Sequence, residues 1–186
     1  MPRRSLPISA PAHPMSLAYI ALGANLDQPQ AQLRAALLAL DELPEVRLLR
    51  TSSFYRTAPL GVEGQPDFIN AVCAVETTLT AEALLDALQA LETRFGRRRD
   101  YRYAPRTLDL DLLLHDAQSI DTPRLSLPHP RMHLRAFVLV PLCEIAPDCR
   151  IPGRGKAAAW LPAVRMQGIE KIMPTLDADK RSETLP

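Results

Sequence analysis

The chain has 186 residues, 47% of them hydrophobic and 23% charged, a balance that suits one globular domain able to bury a core without disulfide or metal staples. A formal net charge of +1 removes any global electrostatic case for a nucleic-acid or acidic-membrane partner. Three cysteines, Cys73, Cys143 and Cys149, form no CxxC pair and fit a reducing, cytoplasmic setting, while no apolar run reaches the ~18 residues that cross a bilayer.

Residues 1–14 (MPRRSLPISAPAHP) lack the apolar core of a secretory signal and are expected to be a disordered extension. A single domain should follow at 15–168, with a polar, frayed tail at 169–186. Residues 17–23 (LAYIALG) read as a strand ended by Gly23. Leu33, Leu37 and Leu40 then recur at helical spacing up to Pro44. Residues 46–57 (VRLLRTSSFYRT) read as one strand. TAPLGVEGQP is an exposed loop, and residues 67–78 (DFINAVCAVETT) are the next strand. Thr80 is placed to cap a helix carrying Leu84, Leu85, Leu88, Leu91 and Phe95, closed by Gly96. Residues 107–115 form another strand. The order β-α-β-β-α-β predicts an α+β fold of the split-βαβ, ferredoxin-like kind, an antiparallel sheet with both helices on one face. A proline-punctuated C-terminal extension follows, with a short helix around 134–145.

Chemistry concentrates around residues 94–111. Six arginines (Arg94, Arg97, Arg98, Arg99, Arg102, Arg106) accompany a single acid, Asp100, and arginine's planar fork matches phosphate oxygens in pairs. TLDLDLLL follows directly. On a strand its leucines share one face, and Asp109 and Asp111 share the other. Two readings stand: ligands for a hard cation such as Mg²⁺, or a solvated edge paired with the arginines. Carboxylates for magnesium beside arginines for phosphate are the two halves of a polyphosphate site. No GxxxxGK[ST] loop, kinase glycine loop or GxGxxG accompanies them, so side chains would have to grip the phosphates.

In GQPDFINA, residues 64–71, Phe68 and Asn70 share a strand face. A planar heterocycle could stack on Phe68 while the Asn70 amide reads its edge; equally, Phe68 is a core aromatic, and Phe137 in LRAFVLVPL is open to the same two readings. His115, His129 and His133 make no zinc spacing. His129, between two prolines and near Arg124, Arg131 and Arg135, is either a phosphate donor or a surface residue. No GxSxG occurs, and no cysteine has a base partner, which leaves covalent catalysis without support.

Taken together, RYAPRTLDLDLL, AYIALGANL, SSFYRTAPLG, QPDFINAV, LSLPHPRMHLRAFVLVPL and EIAP resemble the 6-hydroxymethyl-7,8-dihydropterin pyrophosphokinase family, in order from about Leu17 to Pro152. The resemblance implies transfer of the β,γ-diphosphate of ATP to the pterin hydroxymethyl group with release of AMP, in tetrahydrofolate biosynthesis. It implies that Asp109 and Asp111 bind two Mg²⁺ ions. Thr57, Pro59, Leu60 and Asn70 would contact the pterin edge, with Phe68 and Phe137 sandwiching the ring. ATP would meet Gln89, Glu92, Arg97, Arg99, Tyr103, Arg106, Leu112, Arg124, Ser126, His129 and Arg135. Arg99 and Arg106 would stabilise charge on the transferred group. Tyr103 stands where relatives commonly carry Trp, and Phe68 where Tyr is common. The partners expected are small-molecule substrates, with no nucleic acid, no membrane and a monomeric chain. A metal-dependent nuclease and a nucleotide-sensing module are the rival readings of the same residues.

Overall fold

The computed structural model describes residues 14–59, 64–96 and 107–172. Its frame is β1 (Ser16–Ala24), α1 (Pro29–Asp41), β2 (Val46–Thr51), β3 (Phe54–Thr57), β4 (Phe68–Thr77), α2 (Ala81–Arg94) and β5 (Asp109–His115). Every pairing in the main sheet is antiparallel, and β1 lies between β4 and β5. Thr80 caps α2 as its spacing predicts, its side chain accepting from Ala83 N at 3.2 Å. Gly96 follows at φ +77°, the left-handed conformation that lets the chain leave the helix without a Cβ penalty.

Three strand expectations need correction. Gly23 does not end β1, which continues through Ala24 with Gly23 paired on both sides. The single strand expected at 46–57 is two, both lying along β4. Between them Ser52 Oγ accepts from Val72 N at 3.0 Å, and Ser53 is drawn to Glu144. Side chains thus supplement the one backbone bond, Ser52 N to Val72 O at 2.9 Å, at the break. The third concerns the tail: residues 170–172 are not frayed but form a strand antiparallel to β3.

The two faces of the sheet are covered differently. Leu33, Leu37 and Leu40 of α1 and Leu84, Leu88 and Leu91 of α2 pack on Ile20, Leu22, Leu110 and Leu112, so both helices share one face as expected. The opposite face receives the C-terminal half. Two short hairpins, β6 (Ile120–Asp121) with β7 (Ser126–Leu127) and β8 (Arg150–Ile151) with β9 (Gly155–Lys156), flank α3 (Ala136–Ile145). Val138, Leu139 and Leu142 of α3 pack there with Ala21, Val72 and Leu113. After the short helix α4 (Leu161–Val164), β10 (Glu170–Ile172) completes the sheet in the order β10-β3-β4-β1-β5. Among the described residues no helix is long and apolar enough to cross a membrane.

Glu144 on α3 ties these layers together. Its carboxylate accepts from Ser53 N (3.1 Å), Ser53 Oγ (2.7 Å), Tyr55 OH (2.7 Å) and Lys171 Nζ (3.1 Å). Burial works to raise its pKa, but the bonds from Ser53, Tyr55 and Lys171 outweigh it and hold the carboxyl below the usual range. Stability from this group is therefore present above the unfolded pKa of about 4.3 and lost as pH falls through the folded value. Glu144→Gln should cost about 1–2 kcal/mol at neutral pH. In urea unfolding, the gap to wild type should close on acidification below about pH 4; a pH-independent gap would show that the charge is immaterial.

Candidate active site

The strand that carries the aspartates has its register set by burial. Leu108, Leu110 and Leu112 are buried under the helices, whereas Asp109 and Asp111 are half-buried on the opposite face. A one-residue slip would exchange the two sets. It would bury two carboxylates, at a penalty of about several kcal/mol per ion. Glu92 of α2 reinforces the start of the strand, its carboxylate accepting from Leu110 N at 2.7 Å.

Register then assembles a row across the sheet. Tyr55 pairs with Asn70, Asn70 with Gly23, and Gly23 with Asp109; one step along, Ala21 lies between Val72 and Asp111. Because β1 offers only the Gly23 hydrogen and the Ala21 methyl at this end of the face, a cavity of about 680 Å³ opens above it, within the size range of small-molecule sites. Thr57, Pro59, Phe68 and Asn70 line one part, Asp109, Asp111 and His129 another, and Arg135 and Phe137 stand on the α3 side. Arg56, Gln65, Asp67, Arg131 and residues 167–170 complete the wall.

Polar contacts orient these groups. Asn70 Nδ2 donates to Thr57 Oγ1 at 2.9 Å, fixing the buried amide. Asn25, buried beneath the loop before β4, donates to Gln65 Oε1 (3.3 Å) and Pro66 O (3.2 Å). Arg135 reaches toward both ends of the site, with Nη1 3.8 Å from Asp111 Oδ2 and its guanidinium carbon 5.3 Å from the Phe137 ring centroid. Burial, with Arg135 and Arg131 nearby, pushes the His129 pKa down to about 4. The ring is therefore neutral at pH 7, and its 4.0 Å approach to Asp111 is not an ion pair. Arg131 N donates to its Nδ1 at 3.3 Å, which assigns the proton to Nε2, on the Asp111 side.

Sequence-derived candidates thus divide into four groups. Thr57, Pro59, Phe68, Asn70, Asp109, Asp111, His129, Arg135 and Phe137 meet in the cavity, and both phenylalanines are half-buried on its wall. Gln89, Glu92 and Leu112 lie on the α2 side of β5. Arg124 pairs with Asp86, and Ser126 Oγ donates to Asp121 at 3.3 Å. Leu60, Arg97, Arg99, Tyr103 and Arg106 lie outside the described residues, as do Arg98 and Arg102. The contributions of Ala21, Gly23, Arg56 and Gln167 have no signature in the sequence, because they depend on strand register and on segments brought together from afar. Cys73 is fully buried, with its thiol pushed up to about 12 by burial, while burial and Cys143 push Cys149 up to about 11. Neither is a nucleophile at neutral pH.

Fold and cavity together define a small α+β enzyme whose site joins a ring-sized wall to an acidic, arginine-flanked end. The sequence matches the family described as 7,8-dihydro-6-hydroxymethylpterin-pyrophosphokinase (HPPK) over residues 19–147. It is 50% identical over 154 residues to the 2-amino-4-hydroxy-6-hydroxymethyldihydropteridine pyrophosphokinase of Pseudomonas aeruginosa, covering 83% of this chain and 95% of that one. With the protein of the same name from Haemophilus influenzae it shares 51% over 138 residues, 74% of this chain and 86% of that one. The chain belongs to the HPPK family and is a pyrophosphokinase. Its fold is similar to that of a solved Plasmodium falciparum HPPK-DHPS with pteroate (TM-score 0.66, 13% identity), covering 80% of this chain but only 42% of that longer one.

A Cβ built on Gly23 lies 3.3 Å from Asn70 Oδ1, so an added methyl presses on the amide. Gly23→Ala should lower kcat/KM about tenfold, with thermal unfolding shifted by no more than about 4 °C. Unchanged kinetics would show that Asn70 has room to yield.

Proposed function

We propose that this chain transfers the β,γ-diphosphate of ATP to 6-hydroxymethyl-7,8-dihydropterin, releasing AMP, as a step of tetrahydrofolate biosynthesis. The observation that carries the reading is one cavity in which Phe68, Phe137 and the Thr57–Asn70 pair face the same space as Asp109 and Asp111. A pterin needs flat apolar walls and an edge-reading amide, and a polyphosphate needs cationic neutralisation. The names carried by the Pseudomonas and Haemophilus relatives point to the same hydroxymethyldihydropteridine. The βαββαβ order and its pairings support a ferredoxin-like core bearing a C-terminal extension. The enzyme would act in the cytoplasm as a monomer on small molecules, without nucleic-acid or membrane partners.

The carboxylates suit magnesium. Among the described residues no group of three or more His, Cys, Asp or Glu forms a closed cage. Two half-buried carboxylates at i and i+2 on an open cavity suit a cation that keeps waters and substrate oxygens as its remaining ligands. Asp109 and Asp111 would hold two Mg²⁺ ions, which when bound would neutralise phosphate charge. Phe68 and Phe137 would clasp the pterin while Asn70, oriented by Thr57, fixes its rotation and so aims the hydroxymethyl group toward the carboxylate end. The hydroxyl oxygen forms its bond to the β-phosphorus as the bond from that phosphorus to the α-bridging oxygen breaks. AMP leaves with the bridging oxygen, and the hydroxyl proton passes to solvent. Arg135 and the neutral His129 Nε2–H donate to phosphate oxygens, with Gln89, Glu92, Leu112, Arg124 and Ser126 on the nucleotide side. Arg97, Arg99, Tyr103 and Arg106 would join them from beyond the described residues, Arg99 and Arg106 on the transferred group.

Purified protein given ATP, Mg²⁺ and the pterin should form AMP only when pterin is present. Asp109→Asn and Asp111→Asn should each cut that rate at least about a hundredfold, the scale of losing one charge-stabilising group, while circular dichroism stays that of the folded protein. Pterin-dependent ADP would mean transfer of a single phosphate, and near-normal turnover in Asp111→Asn would remove the metal role.

A further inference from the structure

Residues 167–170 wall the cavity although the family match ends at residue 147. We propose that Gln167 is a positioning residue for the reaction: its amide clamps the backbone on both sides of Arg135, setting Arg135 and Phe137 against the substrate.

Gln167 Nε2 donates to Leu134 O at 2.8 Å, and Ala136 N donates to Gln167 Oε1, also at 2.8 Å. The bonded groups belong to the residues immediately before and after Arg135. Arg135 is itself the N-cap of α3 and makes no side-chain cap bond. A helix start leaves N–H groups that need acceptors, ordinarily supplied by Ser, Thr, Asp or Asn at that position. Arginine has no acceptor to offer. A side-chain cap, which would serve the second or third N–H of the helix, is thus missing at a residue facing the cavity. The first N–H, that of Ala136, is met by a side chain 31 positions away, a pattern expected where function dictates the residue. Only a carboxamide supplies the donor and the acceptor together in this geometry.

The clamp is anchored on the other wall. Gln167 N bonds to Val164 O at 2.9 Å, and three residues on β10 pairs with β3, with Glu170 opposite Arg56. Arg56 Nη1 lies 3.6 Å from Glu170 Oε2, next to Thr57. One short segment therefore links the strand bearing Thr57 to the turn bearing Arg135 and Phe137, and it fixes the spacing between two walls that approach a bound ring. A helix cap with no further role would support α3 but leave substrate affinity untouched.

This inference rests on the proposed pterin site, and the test separates the two. Gln167→Met keeps the side chain's length and removes both hydrogen bonds; Gln167→Glu keeps the acceptor and loses the donor. Calorimetric titration of 6-hydroxymethyl-7,8-dihydropterin, with Mg²⁺ and a non-hydrolysable ATP analogue present, gives the pterin Kd without turnover. For Gln167→Met, the pterin Kd and KM, which depend on Phe137, should rise about tenfold, and the KM for ATP, whose phosphates meet Arg135, should rise with them. Gln167→Glu should fall between Gln167→Met and wild type, and it carries the test if Gln167→Met fails to fold. Lower thermal stability with unchanged pterin Kd makes Gln167 a cap only and overturns the proposal. A wild-type protein that binds the nucleotide but no pterin overturns the functional reading and this inference with it.

Discussion

Gly23 lies in register with Asn70 on one side and Asp109 on the other, and the arrangement of the site follows from that crowding. With Ala21 one step away, it leaves this end of β1, between β4 and β5, almost bare on the cavity side. Side chains from both neighbouring strands can therefore face one space. The opposite side of the same strand carries Ile20 and Leu22 into the helix-covered core. A single strand thus meets two demands of opposite kind: bulk beneath to hold the helices, and near absence of side chain above to admit a ligand.

Covering the sheet on both sides makes that division workable. Helices α1 and α2 drive one interface mainly by apolar burial, with Glu92 the polar exception, and α3 with its flanking turns closes much of the other. Where α3 begins, the covering stops being apolar: Arg135 and Phe137 turn to the cavity, and beyond them lie His129 and the aspartates. Burial near these charges does chemical as well as structural work. It keeps His129 neutral, so the ring brings a hydrogen-bond donor to the carboxylates without adding a further positive charge beside Arg131 and Arg135.

Features written in short-range pattern were legible in the sequence. The leucine–aspartate alternation gave the strand, its faces and the carboxylate pair, and Thr80 marked the start of α2 because an N-cap acts across three residues. Resemblance in motif located Thr57 and spoke for Phe68 and Phe137, which periodicity alone left divided between core and site, whereas the Asn70 amide was already legible from its place two residues after Phe68. What escaped depends on distant partners. The break at Ser52–Ser53 is made by Glu144, 91 residues on. The strand at 170–172 looks like a polar tail until β3 is there to pair with it, and Gln167 is an unremarkable amide until Leu134 and Ala136 stand on either side. Gly23 was misread for a related reason: glycine at the end of an apolar run signals termination locally, whereas its reason here is the two strands beside it.

The late position of β10 bears on how the enzyme comes into being. The β1 to β5 strands and both sheet-packed helices are encoded before residue 116, whereas the segment joining the cavity walls comes some fifty residues later. Synthesis runs from the N-terminus, and pairing of segments far apart in sequence carries a loop-closure cost that slows it. Most residues of the helix-covered core are therefore made while the cavity still lacks one side. The pocket is complete only once the last strand docks on β3.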